Sequence, residues 1–171
     1  MNGYEFYPED GSTLYEEEAW ELSEQARSLW LRLTFAGEYS KGMSPVQIQG
    51  RKYLPMFPAR DGVYTIEQVR EKFLAVFSEE FTDKTLNAAI ASKDLLEYNG
   101  NVYAAYRKNK GKTSYNSWAD HVRDDGAGKF TVVMGVSMPP DGSTVYVELP
   151  TEKNVAGKFV FTDYPYWDRS E

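Results

Sequence analysis

At 171 residues, with 42% hydrophobic and 26% charged side chains, the chain has the size and composition of one folded domain with a real core. Nineteen basic residues against 26 acidic ones leave a formal charge of −7, which repels phosphate backbones and argues against nucleic acid as a partner. There is no cysteine, so disulfides, thiolate nucleophiles and cysteine-bound metals are excluded, and no apolar run approaches the length of a membrane span.

Residues 1–13 are polar, contain Gly3, Pro8 and Gly11, and read as a tail or linker. A single domain is expected over residues 14–167, with 168–171 as a C-terminal tail. The start, Met1 to Glu5, lacks the basic and apolar regions of a signal peptide, and a chain beginning behind a cleaved export signal reads the same way. The first helix is expected from Ser12 or Thr13, because Thr13 and Glu16 have capping-box spacing and Glu16, Glu17 and Glu18 suit the positive end of a helix dipole. Ala19, Leu22, Ala26, Leu29, Trp30 and Leu33 make its apolar face, and Gly37 is a natural stop.

Val46 to Gln49 alternates, and Tyr53-Leu54 precedes Pro55 and Pro58. This predicts two short strands joined near Gly50, at a sheet edge because proline cannot donate into a ladder. Asp61-Gly62 reads as a turn. A second helix is expected to begin at Thr65, capped by its own hydroxyl with Gln68 reaching back. Its stripe is Ile66, Val69, Phe73, Val76 and Phe77. Thr82 reads as the N-cap of a third helix, with Asp83 in its first turn and Leu86, Ala89 and Ile90 on its apolar face.

Leu95 to Tyr106, broken at Asn99-Gly100, is a hairpin, since Asn-Gly supplies the two positive φ angles of a primed turn. Arg107 to Lys112 is a basic loop, and Thr113 to Val122 reads as either a strand or a short helical turn. Lys129 to Met138 is a long strand turned by Pro139-Pro140-Asp141-Gly142. Ser143 to Leu149 returns, with Val145 and Val147 on one face and Tyr146 and Glu148 on the other. Pro150 to Gly157 reads as a loop and Lys158 to Tyr164 as the last strand. Together these predict an α+β domain in which N-terminal helices pack on a curved antiparallel sheet, a meander of about four strands. Nuclear-transport-factor-like cones and cystatin-like folds share this order.

Few residues suit chemistry. His121 is the only histidine, with Asp120 before it and Asp124 and Asp125 after. On a helix His121 and Asp125 would share a face, but Arg123 to Gly126 reads as a turn, and a site needs several converging roles. No Gly-x-Ser-x-Gly elbow or calcium loop occurs, and Gly126-Ala127-Gly128 lacks the lysine and helix of a phosphate loop. With 26 acids, paired carboxylates carry no specificity. The sequence therefore names no catalytic residue, metal ligand or cofactor. Tyr115, Trp118, Tyr164, Tyr166 and Trp167 suit either an interface or the plugged ends of a sheet. The binding set taken from this stretch and its acidic neighbours is Tyr115, Trp118, Asp124, Asp125, Tyr166 and Trp167.

Four stretches in sequence order resemble the bacterial cell-wall DL-endopeptidase inhibitor (IseA-like) family. They are Ala26 to Gly37; Gly50-Arg51-Lys52-Tyr53-Leu54 leading to Thr65-x-x-Gln68-Val69 and Phe73-Leu74; Phe81-Thr82 with Tyr98 to Tyr103; and Gly157 to Thr162, where Phe159 stands in place of the more typical Trp. The resemblance implies a non-enzymatic, secreted or surface-anchored protein that binds a peptidoglycan hydrolase and blocks its peptide-cleaving site. The matching positions are structural, so no inhibitory residue transfers. Two other readings stay open: a cone-shaped domain of the nuclear-transport-factor type, with a small-molecule-binding or catalytic pocket, and a structural module of an envelope lipoprotein. A cavity receiving Asp120 or His121 favours the cone, and a filled interior favours a binding protein.

Overall fold

The structure is a computed structural model, described for residues 12–34, 43–107, 117–138 and 142–165. The expected α+β architecture is present, with three α-helices and two four-stranded antiparallel sheets among the described residues. Helix α1 spans Glu16–Thr34, beginning later than the Thr13 capping box suggests, with its three glutamates in the first turn. Ala19, Ala26, Leu29 and Leu33 enter the core. The expected stop at Gly37 lies outside the described residues.

The first sheet contains β1 (Val46–Ile48), β2 (Arg51–Pro55), β3 (Leu95–Tyr98) and β4 (Asn101–Ala105), in the order β1-β2-β4-β3. Both hairpin turns follow from local chemistry: φ is 51° and 82° at Gln49-Gly50, and 47° and 74° at Asn99-Gly100. Of the first two strands, only β1 lies at an edge. The proline-bearing β2 sits between β1 and β4, and Pro55 is tolerated there as the last residue of the strand.

Helix α2 (Ile66–Leu74) has the predicted capping box. Gln68 N donates to Thr65 Oγ1 at 3.1 Å, and Thr65 N donates to Gln68 Oε1 at 3.2 Å. The helix stops at Leu74, short of the predicted stripe through Phe77. The cause is tertiary. Phe161 N donates to Val76 O and Ser78 N to Phe161 O, both at 2.8 Å, so the chain leaves the helix through a turn at Ala75–Val76 and Phe77 bridges to the last strand. This also moves the next cap. Helix α3 (Glu79–Ala91) is capped by Ser78, whose Oγ accepts from Phe81 N at 3.2 Å. Thr82, expected as the cap, lies within the helix and is fully buried. Arg70 on α2 ties the pair together through Asp83, Nε to Oδ1 at 2.8 Å.

The second sheet is a meander of β5 (Ser117–Gly126), β6 (Lys129–Met138), β7 (Ser143–Lys153) and β8 (Phe159–Phe161). The choice between strand and helical turn before Val122 resolves as strand from Ser117 onward. The chain reverses at Ala127-Gly128, with Arg123 to Gly126 still in β5. Strand β7 continues through Pro150, where a loop was expected, because Pro150 lies opposite Thr131 and its carbonyl accepts from Thr162 N at 2.9 Å.

One hydrophobic cluster joins all three helices to both sheets. Phe77 sits within it, its ring centroid 4.8 Å from Phe81, 5.5 Å from Phe73, 5.7 Å from Tyr164 and 6.5 Å from Phe161. Trp30 of α1 closes the group against Phe81 and Tyr164. Replacing Phe77 by Ala is expected to cost about 3–5 kcal/mol, the range for a buried aromatic that leaves a cavity. Urea denaturation measures this, and a loss below about 1 kcal/mol would contradict the central place given to Phe77.

Candidate functional site

The stretch holding the predicted site residues becomes one face of the second sheet. Its inner face is set by Ala119, Val122, Val132, Met134, Val147 and Leu149, all packed on the core. Directly paired residues share a face, so the register gives the outer face in three rows. Trp118, Gly135 and Tyr146 form one; His121, Val133 and Glu148 the next; Arg123, Thr131 and Pro150 the third.

A bulge makes this arrangement possible. The pairing steps from Ala119↔Met134 to His121↔Val133, leaving Asp120 as an extra residue. The extra residue resets the alternation, so Ala119 and Val122 both face the core while Asp120 and His121 are exposed side by side. His121 Nδ1 lies 2.8 Å from Asp120 Oδ2, and 51% of the His121 side chain remains exposed. The pairing predicted for a helix, His121 with Asp125, is not formed, because the segment is a strand and Asp125 turns to other partners.

Asp125 is the extra residue of a second bulge, between Asp124 and Gly126. Its Oδ2 accepts from Thr131 Oγ1, and its Oδ1 is 2.7 Å from Arg123 Nε. The Thr131 hydroxyl first, and then the Arg123 guanidinium, hold the Asp125 carboxyl below the usual carboxylate range. Arg123 reaches across to Glu148 on β7 as well, and the Glu148 and Asp125 carboxylates raise its own affinity for its proton. Asp124 is exposed and uses Oδ1 to accept from Gly126 N at 2.9 Å, which shapes the turn. Trp118 lies flat across Gly135: a Cβ placed at that glycine would fall 2.4 Å from the indole ring. Tyr146, paired with the same glycine from the other side, is 60% exposed.

Trp118, Asp124 and Asp125 are thus brought onto or beside one surface, whereas Tyr115, Tyr166 and Trp167 lie outside the described residues. Tyr164 belongs to the core. Sequence reasoning passed over Arg123, Tyr146 and Glu148. The alternation of β7 had already put Tyr146 and Glu148 on the face away from Val145 and Val147, and that was the available signal. Arg123 gave none while its segment read as a turn.

The face carries two aromatic side chains flanking Gly135, an imidazole–carboxylate pair and an ionic network. The hydroxyl in the row beside His121, that of Thr131, is already committed to Asp125. Neither Asp120 nor His121 lines any described cavity. Among the described residues no group of three or more His, Asp or Glu side chains is placed to hold a metal ion, and no helix is long and apolar enough to cross a membrane. No protein-family model matches the chain, and no curated protein matches it in sequence.

Two outcomes follow from this geometry. Gly135→Ala drives a methyl group into Trp118, so the indole must leave its seat; a red shift in tryptophan emission and a stability loss of about 1–3 kcal/mol are expected. Unchanged emission would contradict the packing. Asp125→Asn is expected to lower the melting temperature at pH 7. The folded carboxyl ionises below its unfolded value, so its contribution is present above about pH 4 and is lost as the pH falls through the folded value. The gap between mutant and parent should therefore close in acid, and a gap that persists at about pH 2 would refute this account.

Proposed function

We propose that this chain is a non-enzymatic binding domain acting outside the cytoplasm, one that resembles the inhibitors of peptidoglycan DL-endopeptidases and engages such an enzyme through the outer face of β5–β7. The observation that carries the reading is the exposed Tyr146 in the same row as Trp118, on a face crossed by the Arg123–Asp125–Glu148 network. Tyrosine and tryptophan anchor protein interfaces because they offer large contact area for little lost side-chain freedom. A continuous core beneath the face, with His121 turned outward, weighs against the cone-shaped pocket. The net charge of −7 suits a basic partner surface.

The test is cleavage of a muropeptide by a purified cell-wall DL-endopeptidase in the presence of this chain. Saturable inhibition is expected, weakened about tenfold or more by Tyr146→Ala, with circular dichroism unchanged. Affinity should fall as salt rises from about 0.05 to 0.5 M. Absence of inhibition by the folded chain across a panel of such enzymes overturns the inhibitor reading, and tight binding that ignores salt removes its electrostatic part.

A further inference from the structure

We propose that the groove between the C-terminal halves of α1 and α3 binds a small amphipathic monocarboxylate, with its apolar chain against Leu33, Ala88 and Ala89 and its carboxylate on Arg107. The groove is open to solvent along one side and offers about 500 Å³, within the range of roughly 300–1,000 Å³ that small-molecule sites occupy. Its walls come from Trp30 and Leu33 on one helix and Ala88 and Ala89 on the other. Lys84 and Ser92 mark its two ends along α3, about 12 Å apart at the helical rise. That length suits a short acyl chain or a two-ring body.

The polar end carries the charge argument. Asp94 is the only acid among the described residues that line the groove. Its Oδ1 is held by Arg51 Nη2 at 2.5 Å, and its Oδ2 by Ser92 Oγ at 2.8 Å and Arg107 Nη2 at 3.0 Å. Burial alone would raise the Asp94 carboxyl, but the Ser92 and Arg51 hydrogen bonds and the two guanidinium charges outweigh it and keep the group ionised. Arg51 Nη1 also donates to the carbonyls of Ser92 and Lys93, so the end of α3 that would repel an anion is already occupied by a cation. Two guanidiniums thus surround one carboxylate.

Arg107 spends one donor on Asp94, is half exposed, and among the described residues keeps further N–H groups for a ligand. Lys84 has no ion-pair partner among the described residues and adds a second positive charge to the lining. In a chain of net charge −7, an apolar groove with this local excess of cation selects an anion whose body is apolar. A planar fork such as Arg107 fits a carboxylate better than a point charge does. The site uses no residue of the β5–β7 face, so it stands or falls separately from the inhibitor reading.

The experiment is calorimetric titration of the full chain with sodium decanoate, with 1-decanol and decyltrimethylammonium as probes of equal chain length. Decanoate is expected to bind saturably, with a dissociation constant below about 1 mM and at least about tenfold tighter than either control. Arg107→Gln should weaken decanoate about tenfold or more, while Arg107→Lys, which keeps a charge beside Asp94, should lose less. Ala88→Phe, at an exposed position on the wall, should fill the groove and abolish binding without unfolding the chain. Equal affinity for decanoate and decyltrimethylammonium, no saturation below the micelle concentration, or undiminished binding in a folded Ala88→Phe variant would each overturn the proposal.

Discussion

The structure depends on the three residues between α2 and α3. Val76 to Ser78 lies beside β8, exchanging two backbone hydrogen bonds with Phe161, and so joins the helical layer to the far edge of the second sheet. The same segment supplies Phe77 to the aromatic cluster and Ser78 to the cap of α3. Backbone pairing, ring packing and helix initiation therefore fix one another. Moving any of them changes the direction of α3, and with it the groove that α3 shares with α1. Because a buried backbone group must find a partner, the Phe161 amide and carbonyl reward the exit from the helix at Ala75–Val76 over one more helical turn.

At the other end of the second sheet, local irregularity makes the functional face. A regular ten-residue strand with the sequence of β5 would put Ala119 and Val122 on opposite faces. The Asp120 bulge lets both reach the core and leaves an exposed carboxylate beside an imidazole. The glycine at position 135 plays the complementary part: lacking a side chain, it lets Trp118 lie against the sheet instead of standing away from it. Arg123 then spans β5 and β7 above Thr131, which fixes the neighbouring row. Exposed ion pairs of this kind contribute little to stability, so their effect is mainly to order the side chains of the surface. An ordered aromatic surface loses less entropy on binding than a mobile one.

The two surfaces of interest differ in kind. The β5–β7 face is broad and carries both charges and rings, as a protein partner requires, whereas the groove beside Arg107 is narrow, apolar and cationic at its rim. The face is built on strands, whereas the groove takes its walls from two helices and its charged end from Ser92, Asp94 and Arg107 just beyond α3 and β4; each is positioned by the core through α1, which contacts β5 and shares the groove with α3.

Features that depend on neighbours in the chain were legible in the sequence. The Thr65–Gln68 capping box, the Asn99-Gly100 turn, the hairpin at Gly50 and the placing of Tyr146 and Glu148 on one face, opposite Val145 and Val147, all follow from local backbone preference and side-chain period. The α+β class followed from their order. Features that depend on distant partners were not legible. The end of α2 at Leu74, the shift of the α3 cap from Thr82 to Ser78, and the run of β7 through Pro150 are decided by β8 and by Thr162, many residues away. The division of the strands into two sheets is equally a matter of long-range pairing. The candidate site divides in the same way. Sequence determined that Trp118, His121 and the aspartates lie close along the chain, but only the tertiary structure decided which of them share a face, because one bulged residue inverts every alternation that follows it.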